Sequence, residues 1–395
     1  MARIPELPAP FLEPRHRELA AFARARLAEP LTRIDDDFAA GRLEESTAAR
    51  AAVKALAGTR LLHESVMGEA RSLCVARAEV ACLSGFADTL LALQGLGSCP
   101  IRLAGTPEQK SRYLEAAAFG SAIPAFALTE PEAGSDARSL RTTARRDGDH
   151  YVLDGEKTLI TNAGIADWYC LFARLEGDGH HVAFVIDAGT PGFTVAERFV
   201  VLAPHPIGRL ELKGCRVPVS ARLGAEGQGL EIALATLDRF RASVGAAAIG
   251  LASRALGEAR RHVKARKQFG KALADFQLTK ADLADCFVEL ELARLAVFRA
   301  AWLIDQPGSE AGSAKEAAGA ASSLAKLHAT EAASRIIDRA VQQHGGRGVV
   351  QGCIVERLHR EVRALRIYEG TSEIQRLILA RELLNGALAG EELAS

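Results

Sequence analysis

Apolar positions along this chain change their spacing twice. Over residues 15 to about 119, Ala and Leu recur with helical period among Arg and Glu. Thr106-Pro107-Glu108-Gln109 supplies a cap, a proline at the first helical position and an acidic first turn, so residues 1–121 are expected to form a helical domain. From about 122 to 223, Val, Ile, Phe and Thr gather in short runs separated by Asp147-Gly148, Asp154-Gly155, Pro191-Gly192 and Lys213-Gly214. That pattern predicts a β-sheet or barrel domain over 122–223. Tyr151-Val152-Leu153 and the run from Lys157 to Ile160 flank Asp154-Gly155-Glu156 closely enough for a hairpin. After Gly227 helical spacing returns, with Leu283, Phe287, Leu290 and Val297 on one face. Ser313-Ala314-Lys315-Glu316 reads as a capping box opening a helix that runs towards Gly345-Gly346, and an interrupted helical pair fills 354–389. The residues from 224 to 395 therefore predict a second helical domain, and the chain as a whole an α+β class. Residues 308–312 read as a short loop, and no internal repeat is visible.

Composition narrows the class. At 395 residues, 48% hydrophobic and 25% charged, the chain has material for two or three soluble domains, each with its own core. Lys+Arg 49 against Asp+Glu 49 leaves no overall field for nucleic acid or anionic lipid, although a local basic patch stays open. The seven cysteines are odd in number and scattered without a C-x-x-C pair, which argues against a disulfide framework and a metal site and favours a reducing cytoplasm. The Pro-rich start carries charges without an apolar run, so neither a signal peptide nor a membrane span is expected.

Candidate chemistry gathers at the breaks in the pattern. Arg366-Ile367-Tyr368-Glu369-Gly370-Thr371 sets one carboxylate between two helical segments. Gly370 stops the first and Thr371 or Ser372 starts the second, so main-chain N–H groups around Glu369 lack helical partners. One residue then offers a proton acceptor and an oxyanion donor, although Glu-Gly-Thr is also an ordinary helix end. Phe126-Ala127-Leu128-Thr129-Glu130-Pro131-Glu132-Ala133-Gly134-Ser135-Asp136 is a strand-like run opening into a turn with two hydroxyls, suited to a ring edge and a phosphate or to a plain connection. Leu159-Ile160-Thr161-Asn162-Ala163-Gly164 repeats the idea. Arg266-Lys267-Gln268-Phe269-Gly270-Lys271 places cations after a long helix, where the macrodipole alone accounts for them. Gln342-Gln343-His344-Gly345-Gly346-Arg347-Gly348 is glycine-rich but follows no strand, so it is neither a Walker loop nor a Rossmann fingerprint.

These four pieces in this order, with Tyr368-Glu369-Gly370-Thr371 last, resemble the acyl-CoA dehydrogenase family over nearly the whole chain. Leu128-Thr129-Glu130-Pro131-x-Ala133-Gly134-Ser135-Asp136 and Ile367-Tyr368-Glu369-Gly370-Thr371-x-Glu373-Ile374-Gln375-Arg376 are the specific elements. The resemblance implies a C-terminal four-helix bundle and FAD bound between the β domain and the C-terminal helices. Phe126, Leu128 and Leu159 match cofactor-lining positions, Thr129 and Thr161 match those that hydrogen-bond the isoalloxazine edge, and Ser135 matches a pyrophosphate contact that also adjoins substrate. Arg266, Gln268, Phe269, Gln342, Gly345 and Gly346 match segments that reach a neighbouring subunit's FAD, which implies a homo-oligomer, a dimer or a homotetramer. Thr371 and Glu373 match positions beside the adenine half. Glu369 matches the base that removes the α-proton of an acyl-CoA while the β-hydrogen leaves as hydride to the flavin. Asp238, Arg241, Tyr368 and Gly370 match substrate-side positions, with a helix salt-bridge set an equal account of Asp238 and Arg239.

The implied activity is α,β-dehydrogenation of an acyl-CoA to a trans-2-enoyl-CoA, with electrons passed to an electron-transferring flavoprotein. A related acyl-CoA desulfinase or eliminase is the alternative. A DNA-associated branch fits less well, because the chain has no net charge and no added basic domain. Some branches place the base where Phe240 stands here, and Phe accepts no proton. Leu159 replaces a common aromatic cover of the flavin, and Ala203-Pro204-His205-Pro206-Ile207-Gly208-Arg209 replaces the usual Met-Gly-x-Arg loop. His205 is either a substrate or CoA contact or a surface histidine between prolines. The glycines of Gln94-Gly95-Leu96-Gly97-Ser98 leave the pocket depth open. The two departures together imply short, branched or ring-bearing acyl groups.

Overall fold

A computed structural model of the chain describes residues 11–309 and 311–385. The Pro-rich residues 1–10 and the end of the expected last helix, 386–389, lie outside the described residues. Three stretches keep the expected character: helices up to Ala118, strands from Pro124 to Leu223, then helices again from Gly229. By packing, the described residues form two compact units, one lying within 1–32, 69–88 and 238–395, the other of 33–68 and 89–237. The early helices are divided between these units, so the packing units do not coincide with residues 1–121, 122–223 and 224–395.

The second unit holds an eight-stranded mixed sheet. Its strands are β1 (Pro124–Ala127), β2 (Thr143–Asp147), β3 (His150–Thr161), β4 (Trp168–Leu175), β5 (His181–Asp187), β6 (Phe193–Arg198), β7 (Ile207–Pro218) and β8 (Arg222–Leu223). They run in the order β6-β7-β3-β2-β4-β5-β8, with β1 parallel to β4. β4 is apolar almost throughout because both its faces are covered. Tyr169, Leu171, Ala173 and Leu175 enter one core with Tyr151, Leu153, Leu210 and Val217. Trp168, Cys170 and Phe172 enter another with Tyr113, Leu114 and Ala117 of the Pro107–Ala118 helix. That helix opens on the expected capping box, in which Thr106 Oγ1 accepts from Gln109 N and the Gln109 side chain accepts from Thr106 N at 2.8 Å.

The hairpin expected at Asp154-Gly155-Glu156 is not formed. β3 runs straight through it, paired with β7, and the ladder only shifts register between Leu153 and Gly155. Gly155 sits at φ +149°, and a Cβ there would lie 2.7 Å from Thr142 Cα, so the glycine serves a bulge and a close approach. The hairpin turn is Gly148-Asp149, directly after Asp147, between β2 and β3.

The first unit is built from the long helices Gly229–Ala265 (from Asp238 onward), Gln277–Ile304 and Gly312–His344, with Ala70–Leu83, Ile354–Val362 and Ser372–Leu384 against them. Its core is rich in alanine, among them Ala246, Ala252, Ala293, Ala300, Ala325 and Ala329, so helices approach closely. At Gly250 a Cβ would stand 2.4 Å from the Ala78 carbonyl oxygen. Three expectations are corrected here. The Ser313 capping box is absent, because the helix already begins at Gly312 with Ala311 at the cap and no side-chain cap bond. Phe287 does not join Leu290 and Val297 in the core but is 49% exposed at the edge of that face. The helix before Glu369 ends at Val362 and passes through a 3₁₀ turn, Arg363–Arg366, instead of continuing to Gly370.

Candidate active site

Four non-glycine residues among the described ones have positive φ: Leu159 (54°), Asn162 (67°), Phe269 (52°) and Glu369 (53°). All four fall in segments singled out by chemistry. A β-carbon is disfavoured in this region, and such strain persists where the surrounding structure over-determines it, often at ligand sites.

In the sheet unit, the turn after β1 and the end of β3 are clamped together. Lys157, fully buried on β3, donates to the Leu128 carbonyl at 3.1 Å and to Glu130 Oε1 at 2.7 Å. Burial pulls the Lys157 ammonium down to about 8 against the opposing pull of Glu130. Glu130 also accepts from the main-chain N–H of Arg141 and Thr142, and Thr158 N donates to Thr129 O at 2.9 Å. Thr129 and Thr161 are thereby set on one rigid support. Leu159 lies where the β3 ladder shifts between Lys157 and Ile160, and is 56% exposed. Phe126 packs on Phe172 at 5.0 Å, Leu128 is buried, and Ser135 is exposed beside Gly134, where an added Cβ would meet nothing within 4 Å.

Thr161 Oγ1 meets His205 Nε2 at 2.8 Å. His205 is therefore not simply a solvated loop histidine: burial lowers its imidazole to about 4, leaving it neutral at pH 7. The loop carrying it is fixed by Asn162 N, which donates to the Pro206 carbonyl at 2.6 Å.

In the helical unit, Thr371 caps the Ser372–Leu384 helix by accepting from Ile374 N at 3.3 Å. The main-chain N–H groups of Glu369 and Gly370 have no acceptor among the described residues. The Gly370 carbonyl is held by Lys326 Nζ and, at 2.9 Å, by Gln375 Nε2. Glu369 Oε2 is shut off from solvent with no hydrogen-bond partner. Burial pushes the Glu369 carboxyl above the usual carboxylate range, and Arg77, Lys326 and Arg241 pull it back. Arg77 is itself paired with Asp88, Nε to Oδ1 at 3.0 Å and Nη2 to Oδ2 at 2.8 Å, and donates to Ser243 Oγ at 3.0 Å. Burial lowers Lys326 to about 8. The result is a half-buried residue with one shut-off carboxyl oxygen, unpartnered among the described residues, beside free amide donors, an arrangement suited to taking a proton next to a carbonyl.

The model for the acyl-CoA dehydrogenase C-terminal domain matches residues 227–384, and that for the middle domain residues 125–215. The short-chain-specific acyl-CoA dehydrogenase of Clostridium acetobutylicum is 38% identical over 322 residues, 80% of this chain and 83% of that protein. This chain belongs to the acyl-CoA dehydrogenase family. CarC, a subunit of the caffeyl-CoA reductase–Etf complex of Acetobacterium woodii, is 38% identical over 323 residues, 80% of this chain and 83% of that protein. A solved Bacillus anthracis acyl-CoA dehydrogenase in complex with FAD superposes with TM-score 0.86 at 29% identity, covering 98% of this chain and 69% of that one.

Other residues picked from the sequence of this acyl-CoA dehydrogenase relative sit as follows. Arg266, Gln268 and Phe269 lie on an exposed two-residue ribbon, Lys267–Gln268 paired with Lys271–Ala272, with Phe269 91% exposed at its tip. Gln342, Gly345 and Gly346 are exposed where the Gly312–His344 helix ends, and neighbouring Gln343 is half-buried with both amide atoms shut off from solvent and unpartnered among the described residues. Glu373 occupies the first turn of its helix, where Thr371 and the turn's own backbone lower its carboxyl. Asp238 pairs with Arg241 three residues on, so the helix ion pair accounts for Asp238, while Arg241 Nε is buried and unpartnered. Phe240 is 1% exposed. Tyr368 is partly buried, and that burial raises its phenol.

Sequence reading passed over Arg77 and Lys326, and named Lys157 and Gln375 only within a strand run and a motif. A signal existed for Lys326: it shares a helix stripe with Ser322, Ala329 and Ala333, all buried, where a lone cation has no solvated face.

Proposed function

We propose that this protein is an FAD-dependent acyl-CoA dehydrogenase in which Glu369 takes the α-proton of an acyl thioester, giving a trans-2-enoyl-CoA, and that electrons pass to an electron-transferring flavoprotein. The observation that carries the reading is Glu369: a buried, unpaired Oε2 on the residue whose own N–H has no acceptor. The carboxyl accepts the proton while the N–H donates to the thioester oxygen as charge develops there. Arg77, Lys326 and Arg241 favour the ionised form of this acid against the burial that raises it. Arg241, whose buried Nε has no partner among the described residues, is assigned to the substrate side from the Gly229–Ala265 helix, with Asp238 as its ion-pair partner and Tyr368 and Gly370 beside the base.

The residues present fit FAD. Thr129 and Thr161 offer hydroxyls on a braced support, Phe126, Leu128 and Leu159 offer apolar contact, and Ser135 sits in an open turn suited to a phosphate. Bound FAD supplies the hydride acceptor. Arg266, Gln268 and Phe269, with Gln342, Gly345 and Gly346, are assigned to a neighbouring copy's cofactor because their ribbon and helix end are exposed on their own chain, and Thr371 and Glu373 are assigned to the adenine half. Self-association is further supported by Leu278, Val288, Leu292 and Leu295, exposed on the side of the Gln277–Ile304 helix opposite its core face. Transfer to an electron-transferring flavoprotein is supported by the likeness to CarC.

The exposed Leu159 and the Pro204–His205–Pro206 loop favour short, branched or ring-bearing acyl groups. Anaerobic flavin bleaching against straight, branched and aryl-propionyl thioesters tests the whole reading. Bleaching is expected with the short, branched or aryl members, and its absence with every thioester in the panel overturns the assignment.

A further inference from the structure

The hydrogen bond between His205 and Thr161 lies outside the machinery described so far. Two prolines flank His205 and fix φ on both sides of it, the Pro206 carbonyl is tied to Asn162 N, and Thr161 pairs with Ile207 in the β3–β7 ladder. The imidazole thus reaches Thr161 Oγ1 from a loop held at both ends of the contact. Its loop neighbours Val200, Leu202 and Pro204 are exposed, while His205 is half-buried and Pro206 buried, so the loop turns inward at this pair.

We propose that His205 is a positioning residue for Thr161, fixing the direction of its hydroxyl and so the hydrogen bond that Thr161 offers a flavin ring. A free threonine hydroxyl has one donor and two acceptor sites and rotates to suit its partner. A neutral imidazole presents either N–H or a lone pair at Nε2. If Nε2–H donates, the Thr161 O–H is left to point outward as a donor. If Nε2 accepts, Thr161 presents only lone pairs. Either tautomer removes the freedom to serve both, and the burial that keeps the ring neutral preserves the constraint at pH 7. A flavin nitrogen that accepts when oxidised and donates when reduced distinguishes the two presentations, so His205 biases the redox equilibrium. The inference rests on the FAD reading above.

The test is the midpoint potential of bound FAD in wild type, His205→Leu, His205→Gln, Thr161→Val and the Thr161→Val/His205→Leu double variant. His205→Leu is expected to shift the oxidised-to-reduced ratio at least about threefold, about 15 mV for a two-electron couple, with FAD content unchanged. His205→Gln, which restores a donor and an acceptor, is expected to recover at least half the shift. In the Thr161→Val background His205→Leu is expected to add nothing. An unchanged potential in His205→Leu, or an equal shift without the Thr161 hydroxyl, overturns the proposal. Should His205→Leu lose FAD, His205→Asn, too short to reach Thr161, takes its place with the same expectations. A wild type that cannot be loaded with FAD overturns the cofactor reading first and this inference with it.

Discussion

Glu369→Gln separates proton removal from everything else the turn does. Gln keeps the size of the side chain, the main-chain N–H and the φ of 53°, and the Lys326 and Gln375 bonds to the Gly370 carbonyl do not involve the carboxyl. Only the proton acceptor is lost, and a positioned general base is worth about 10²–10⁴-fold, or about 3–5 kcal/mol of barrier. Stability is expected to respond differently. Because burial raises the Glu369 carboxyl in the folded state, its contribution to stability is fully present below the ordinary carboxylate pKa and is lost as pH rises through the folded value. Above that folded value the ionised group is a cost that the three cations only offset, so there the amide is expected to leave the melting temperature unchanged or slightly higher. Stopped-flow anaerobic bleaching, FAD content and thermal denaturation together read the outcome. Bleaching at the wild-type rate would show that another group takes the proton. A large loss of FAD or of melting temperature would show that the carboxylate is structural.

Lys326→Met removes a buried cation beside Glu369, so the acid limb of the flavin-reduction pH profile is expected to move to higher pH; superimposable limbs would dismiss the coupling. Arg266→Ala is expected to weaken FAD retention by about 1–3 kcal/mol, read by equilibrium dialysis, and full retention would remove Arg266 from the site. Leu159→Trp is expected to narrow the accepted acyl set in the bleaching panel, since an added ring excludes bulk. Thr106→Ala is expected to cost about 0.5–2 kcal/mol in urea denaturation through loss of the capping box, with catalysis per folded enzyme unaltered.

Features that depend on a few neighbouring residues were legible in the sequence. The Thr106 box, the glycine turn after Asp147 and the Thr371 cap of the last helix are local, because a cap or turn is satisfied by atoms within three or four residues. The order of helical, strand and helical segments followed from periodicity. Where a distant partner decides, the local reading failed. Asp154-Gly155 has hairpin chemistry, but pairing with β7 drew it into a continuous strand with a bulge. Ser313 could cap a helix, but the helix begins one residue before it. Phe287 has a core residue's spacing, yet no neighbour covers it fully. The candidate base was visible in the sequence, but its environment was not: Arg77, Arg241 and Lys326 come from three helices far apart in the chain, and His205 reaches Thr161 across 44 residues. Periodicity can say that a side chain turns inward. Which charge or hydroxyl it meets there is set by the packing of separate elements, and only the tertiary structure decided that.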